Sequence, residues 1–106
     1  MVEAVHVVKT MDAKAAVNNG TALDCTNYSK ITLQIIATSV STGATVTLEA
    51  SLDGTNYGSI GTKAVSANGS FFIAISCEAY KWVRPAITAG NYTDGTYTCY
   101  TMVSRN

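Results

Sequence analysis

Apolar and polar residues alternate with a period of two along much of the chain, the pattern of a strand with one buried and one exposed face. The clearest case is Ala44 to Asp53, where Ala44, Val46, Leu48, Ala50 and Leu52 alternate with Thr45, Thr47, Glu49, Ser51 and Asp53. Asp53-Gly54 then predicts a tight reversal, because that pair tolerates positive φ. Tyr57 and Ile60 resume the apolar pattern beyond it. In Lys30 to Thr38 the spacing assigns Ile31, Leu33, Ile35 and Ala37 inward and Thr32, Gln34 and Thr38 outward. Ile36 breaks the polar side, so it is expected under another element or a partner. Ser39 to Gly43 reads as a hairpin loop into the Ala44 strand, and Ala67-Asn68-Gly69 as a second hairpin.

The second half repeats the theme. Phe71, Ile73 and Ile75 form a core face with Phe72 opposite, and Tyr97, Cys99 and Val103 alternate with Thr98, Tyr100 and Met102. In Tyr80 to Ile87 the alternation directs Val83 and Ile87 inward and Tyr80, Trp82 and Arg84 outward together. Pro85 has no ladder donor, which predicts an edge or a bulge. Near the N-terminus, Ala4 to Lys9 and Thr21 to Cys25 read as short strands. Thr10 to Val17 fits either one helical turn or extended chain, and one turn is unstable alone. Six to eight short strands without an amphipathic helix predict one antiparallel β-sandwich, jelly-roll or immunoglobulin-like. Residues 1–17 would be an N-terminal arm or edge strand, and 18–106 the sandwich domain.

Composition narrows the function classes. The chain of 106 residues is 47% hydrophobic but only 13% charged, roughly half the usual charged share. Such a surface suits dense packing against neighbours, where charges are costly to desolvate. Seven basic and seven acidic residues cancel with no basic cluster, which argues against nucleic acid as a partner. No apolar run has the length of a membrane span, and Glu3, His6, Lys9 and Asp12 interrupt any signal-peptide core, so no export signal is expected.

Candidate chemistry is sparse. His6 is the single histidine, so a Ser-His-Asp or Cys-His arrangement would have to use it; flanked by valines, it reads as a strand residue. No catalytic residue is assigned and the chain is expected not to be an enzyme. Cys25, Cys77 and Cys99 fit buried thiols better than a disulfide scaffold, with a Cys77–Cys99 bridge the alternative. Their spacing and the lone histidine give no metal motif. Asp53 to Gly58 has the first Asp and sixth-position Gly of a calcium loop, but Ala64 stands where the bidentate Glu belongs. A hairpin is the better reading, and no metal or cofactor is expected. Asn19, Asn27, Asn68 and Asn91 match the glycosylation acceptor pattern, as chance allows in so Thr-, Ser- and Asn-rich a chain. What remains is an outward aromatic set with its neighbours. The candidate interface residues are Ile36, Asp53, Asn56, Tyr57, Phe72, Tyr80, Trp82 and Arg84. For Arg84 the expected partners are an aromatic ring, Asp53, Glu78 or a neighbouring subunit.

Three stretches carry a resemblance: Gly20 to Ile35 (GTALDCTNYSKITLQI), Ala44 to Tyr57 (ATVTLEASLDGTNY) and Tyr80 to Ile87 (YKWVRPAI). Together they resemble small β-sandwich structural proteins of tailed bacteriophages, found as head decoration, fibre, neck or tail components. The resemblance spans Gly20 to the C-terminus. It implies a non-enzymatic virion component, assembled in the host cytoplasm, that binds capsid, neck or tail subunits and forms a homo-oligomer. The Ser51-to-Tyr57 hairpin and the Tyr80-to-Arg84 strand also look like discoidin-type galactose-binding jelly rolls. Those domains are longer, and their N-terminal strands and binding spikes have no match here. That likeness implies the alternative, a carbohydrate- or cell-surface-binding module that stacks a glycan on Trp82 and a tyrosine.

Overall fold

The computed structural model describes residues 5–26, 28–76 and 80–105. Every regular element among them is a strand: β1 (Val5–Lys14), β2 (Asn18–Asn19), β3 (Leu23–Asp24), β4 (Lys30–Thr38), β5 (Ala44–Ser51), β6 (Gly58–Val65), β7 (Gly69–Ser76), β8 (Trp82–Ile87) and β9 (Thr96–Ser104). The first sheet runs β1-β9-β4-β7; the second runs β2-β8-β5-β6, with β3 also on β8. All pairings are antiparallel. With β2 and β3 counted as one interrupted strand, two four-stranded sheets exchange the chain in the order of a jelly roll.

Each strand places its apolar set between the sheets. Leu33 and Ile35 of β4, Val46 and Leu48 of β5, Val83 and Ile87 of β8, and Tyr97, Cys99 and Val103 of β9 are fully buried there. Each such aliphatic side chain contributes on the order of 1.5–3 kcal/mol relative to exposure. Leu52, assigned to this face by alternation, is 74% exposed, because β5 ends at Ser51 and the reversal has begun.

Two loops expected to be hairpins are crossings between sheets. β4 and β5 belong to different sheets, as do β6 and β7; only β5–β6 is a hairpin. The β4–β5 arch turns at two left-handed positions, Ser39 (φ 57°) and Gly43 (φ 111°), which steer the chain out of the first sheet. Asp94, from the β8–β9 loop, holds the arch by accepting backbone N–H groups of Ser41, Thr42 and Gly43 at 2.9–3.1 Å. Those donors, Thr42 first, keep its carboxyl below the ordinary range. The Gly43 carbonyl in turn accepts from the Thr93 and Asp94 amides.

Pro85 does not sit on an edge strand. β8 pairs with β5 on one side, Leu48 opposite Pro85, and with β2 and β3 on the other. The ladder breaks on the β2–β3 side, where Gly20 N–H donates to the Pro85 carbonyl at 2.7 Å. N–H and C=O of one extended residue point the same way, so the missing donor faces this gap. Gly20 fits because a Cβ would lie 2.5 Å from the Pro85 ring and 2.6 Å from the Thr10 carbonyl. That carbonyl accepts the Thr21 N–H at 2.6 Å and ties the two sheets together along this side.

Val5 to Lys14 is neither helical nor a free arm. It is hydrogen-bonded along β9, with Thr10 and Met11 buried. The Thr10 hydroxyl meets that of Thr101 at 2.9 Å and the Cys99 carbonyl at 3.4 Å. Cys25 and Cys99 are free, buried thiols; Cys77 lies outside the described residues.

Candidate interaction surface

The eight candidate interface residues divide among three places. Trp82 and Arg84 of β8 lie on the outer face of the second sheet, where the register sets Arg84 opposite Glu49 and Trp82 opposite Ser51. Arg84 Nε donates to Glu49 Oε1 at 2.9 Å, and its guanidinium lies 3.8 Å from the centre of the Tyr57 ring. The aromatic partner matches expectation, whereas the carboxylate is Glu49 and not Asp53; Glu78 lies outside the described residues. Cross-strand neighbours meet without any chain excursion, which favours Glu49 over a loop residue. Both charged side chains are largely buried, at 23% and 13% exposure, so Arg84 is committed within its own molecule.

Asp53 is likewise committed. Its carboxylate accepts from the amides of Thr55 and Asn56, the Asn56 side chain and the Ser51 hydroxyl, all at 2.8 Å. These bonds, led by the Asn56 amide, hold its pKa far below the usual carboxylate range. The same bonds stiffen the β5–β6 reversal, whose Gly54 takes φ 79° and approaches the Trp82 ring so closely that a Cβ would lie 3.2 Å from the indole nitrogen. Lys81 Nζ lies 5.4 Å from the Trp82 ring centre and also bonds Asp24 and Thr26. Trp82, which a glycan platform would use, and the nearby Tyr57 therefore already have partners.

Tyr80 departs from its expected place beside Trp82. It precedes β8 in irregular chain and packs against the core, its carbonyl accepting the Cys25 thiol at 2.8 Å. With Ala50, Ser51, Leu52, Asp53 and Asn56 it lines an open depression of about 340 Å³ at one end of the sandwich.

Ile36 and Phe72 lie on the outer face of the first sheet, where the register assembles residues that are distant in sequence. One row across the four strands is Val7–Met102–Thr32–Ala74; the next is Lys9–Tyr100–Gln34–Phe72; a third is Thr98–Ile36–Ser70. Phe72 is 59% exposed and Val7 54% exposed. Lys9 is the one charge in these rows; it lies at the β1 margin, 3.6 Å from Asp12 and 5.8 Å from the Tyr100 ring centre. The sequence marked Tyr100 and Met102 as outward, but only the β1-β9-β4-β7 order makes them neighbours of Ile36 and Phe72.

Neither described thiol is activated as a nucleophile. Burial pushes the Cys25 thiol up to about 11 and the Cys99 thiol up to about 12. His6 sits in β1 opposite Val103. Among the described residues, no three His, Cys, Asp or Glu side chains gather as a metal site would require.

No protein-family model matches the chain, and no curated protein matches it. Among solved structures it is similar to the crystal structure of the SPBc2 prophage-derived protein YomS, with TM-score 0.63 and 10% identity over 98% of each chain. It is also similar to a chain from Bacillus endospore appendages, described as a novel family of disulfide-linked pili, at TM-score 0.47 and 17% identity over 94% of this chain and 83% of that one. At such identities the likeness to YomS establishes a common fold, a β-sandwich followed over nearly the whole of both chains.

Proposed function

We propose that this chain is a non-enzymatic structural component of a bacteriophage particle, binding other virion proteins through the outer face of its first sheet. The observation that carries the reading is that face itself. Three rows from four strands present Val7, Met102, Tyr100, Ile36 and Phe72 with a single marginal charge, and the next charge on this face is Lys30 in the flanking row Val5–Ser104–Lys30–Ser76. A neutral surface of aromatic, aliphatic, Thr and Gln side chains matches the centre of a protein interface, where charge is depleted and aromatic residues and Met are enriched. The fold shared with a prophage-derived protein supports the phage setting, and so does the sequence resemblance. Repetition around a symmetric particle would multiply a modest contact through avidity. The elevated pKa values of Cys25 and Cys99 fit buried, structural thiols. The glycan alternative is weaker, because Arg84 already stacks on Tyr57 and Gly54 and Lys81 lie against Trp82.

Particles of the phage that carries the gene, purified on a density gradient, provide the test. The wild-type chain should co-purify at a fixed copy number. Ile36→Glu combined with Tyr100→Glu changes two inner strands and should lower occupancy at least about 10-fold, while the isolated variant keeps its melting temperature within a few degrees. Wild-type chain absent from the particles, or the double variant at full occupancy, would overturn the reading.

A further inference from the structure

The two sheets have four lateral edges, and three of them are blunted. β1 carries register shifts between Lys9 and Met11 and between Met11 and Lys14, a left-handed Ala13 (φ 48°), and the charges Lys9, Asp12 and Lys14. β2 and β3 are two residues each, separated opposite Pro85. β6 is shifted out of register between its partners Leu48 and Glu49, and it sets Lys63 opposite buried Val46, on the inward side, with Nζ 5.7 Å from the Phe71 ring centre. Bulges, short strands and inward-pointing lysines are the ordinary devices that stop a sheet edge from pairing with another chain.

β7 has none of them. Gly69–Ser76 keeps an unbroken eight-residue register with β4 and contains no charge and no proline. Among the described residues it ladders on β4 alone, so the main-chain groups of its other side face outward. Its sequence, GSFFIAIS, is that of a strong strand former.

We infer that β7 is a pairing edge for a second copy of this chain, the two β7 strands joining antiparallel about a two-fold axis so that both first sheets become one continuous eight-stranded sheet. A second copy fits for three reasons. An uncharged strand meets no like charge when it pairs with itself. A two-fold axis through Phe72 or Ile73 keeps the even-numbered residues on one face, placing Phe72 opposite its counterpart or opposite the other copy's Ala74. The outer rows of Ser70, Phe72 and Ala74 then run on across the joint, doubling the neutral face rather than hiding it. The inference stands without the particle reading, since it concerns the purified chain by itself.

Sedimentation equilibrium of the full chain, from about 1 to 200 μM, tests it. A species of twice 11.1 kDa is expected. Ser70→Lys with Ala74→Lys, both exposed positions on β7, should raise the dimer dissociation constant at least about 10-fold, while Thr62→Lys on β6 leaves it unchanged. Native-state amide exchange of the wild type adds a readout independent of any variant. Alternate amides of Gly69–Ser76, those directed away from β4, should gain at least about 10-fold protection between the lowest and highest concentration. A monomer throughout, a closed trimer or larger ring, a dimer indifferent to the β7 lysines or weakened by Thr62→Lys, or concentration-independent exchange in β7 would each overturn it.

Discussion

The Thr10–Thr101 contact makes a sharp test of how β1 is held. Both side chains are buried, at 2% and 0% exposure, and join β1 to β9 inside the sandwich. Either hydroxyl can donate in the 2.9 Å contact; if Thr10 donates to the Cys99 carbonyl, an acceptor only, it accepts from Thr101, and that assignment is what the variants test. The pair is therefore asymmetric. On that assignment Thr10→Val removes the acceptor of the Thr101 hydroxyl found among the described residues and strands a buried donor, which costs about 1–3 kcal/mol. Thr101→Val leaves Thr10 donating to Cys99 and should cost less than about 1 kcal/mol. With both changed, no stranded hydroxyl remains, and stability should return close to wild type, a coupling of about 1–3 kcal/mol. In urea, with a slope of about 2 kcal/mol/M for a chain of this size, Thr10→Val should lower the midpoint by about 0.5–1.5 M. Trp82 fluorescence and far-ultraviolet circular dichroism report the transition. If Thr101→Val costs as much as Thr10→Val, or the double variant is less stable than Thr10→Val alone, the donor assignment is wrong.

Three further predictions rest on separate parts of the molecule. Gly43→Ala should cost more than about 4 kcal/mol, enough to abolish the cooperative melt, because φ is 111° and the new methyl would collide with the Val65 carbonyl. Asp94→Asn should destabilise the arch at neutral pH and flatten the acid response. Because the folded carboxyl titrates below its unfolded value, its stabilisation is complete above about pH 4 and fades as pH falls through the folded pKa, so melting curves of wild type and variant should converge on acidification. In a Cys77→Ser background, a thiol reagent at pH 8 should leave Cys25 and Cys99 unlabelled in the native state and label both in urea; rapid native labelling would contradict thiols pushed up to about 11 and about 12.

Particular residues show how far the sequence could be read. Ile31, Leu33, Ile35, Ala37 and the outward Phe72 were legible because each strand's two faces follow from a period of two within a few residues. The Asp53-Gly54 reversal was legible for the same local reason, since its bonds span two or three residues. Tyr80 was not: it stands before β8, where the alternation has yet to start. Nor was the carboxylate partner of Arg84, because Glu49 lies 35 residues away and becomes its neighbour only through the β5–β8 register.

Most strand faces, the Asp53-Gly54 reversal and the sandwich class were thus determined by the sequence alone, through preferences that act over two to five residues. Tertiary structure decided which sheet each strand joined, and with it the arch held by Asp94, the gap opposite Pro85, the rows that bring Tyr100 beside Phe72, and the bare edge of β7. The same alternation suits a strand in either sheet and next to any neighbour. Sheet membership follows from how all the strands close one core together, and no single stretch carries that information.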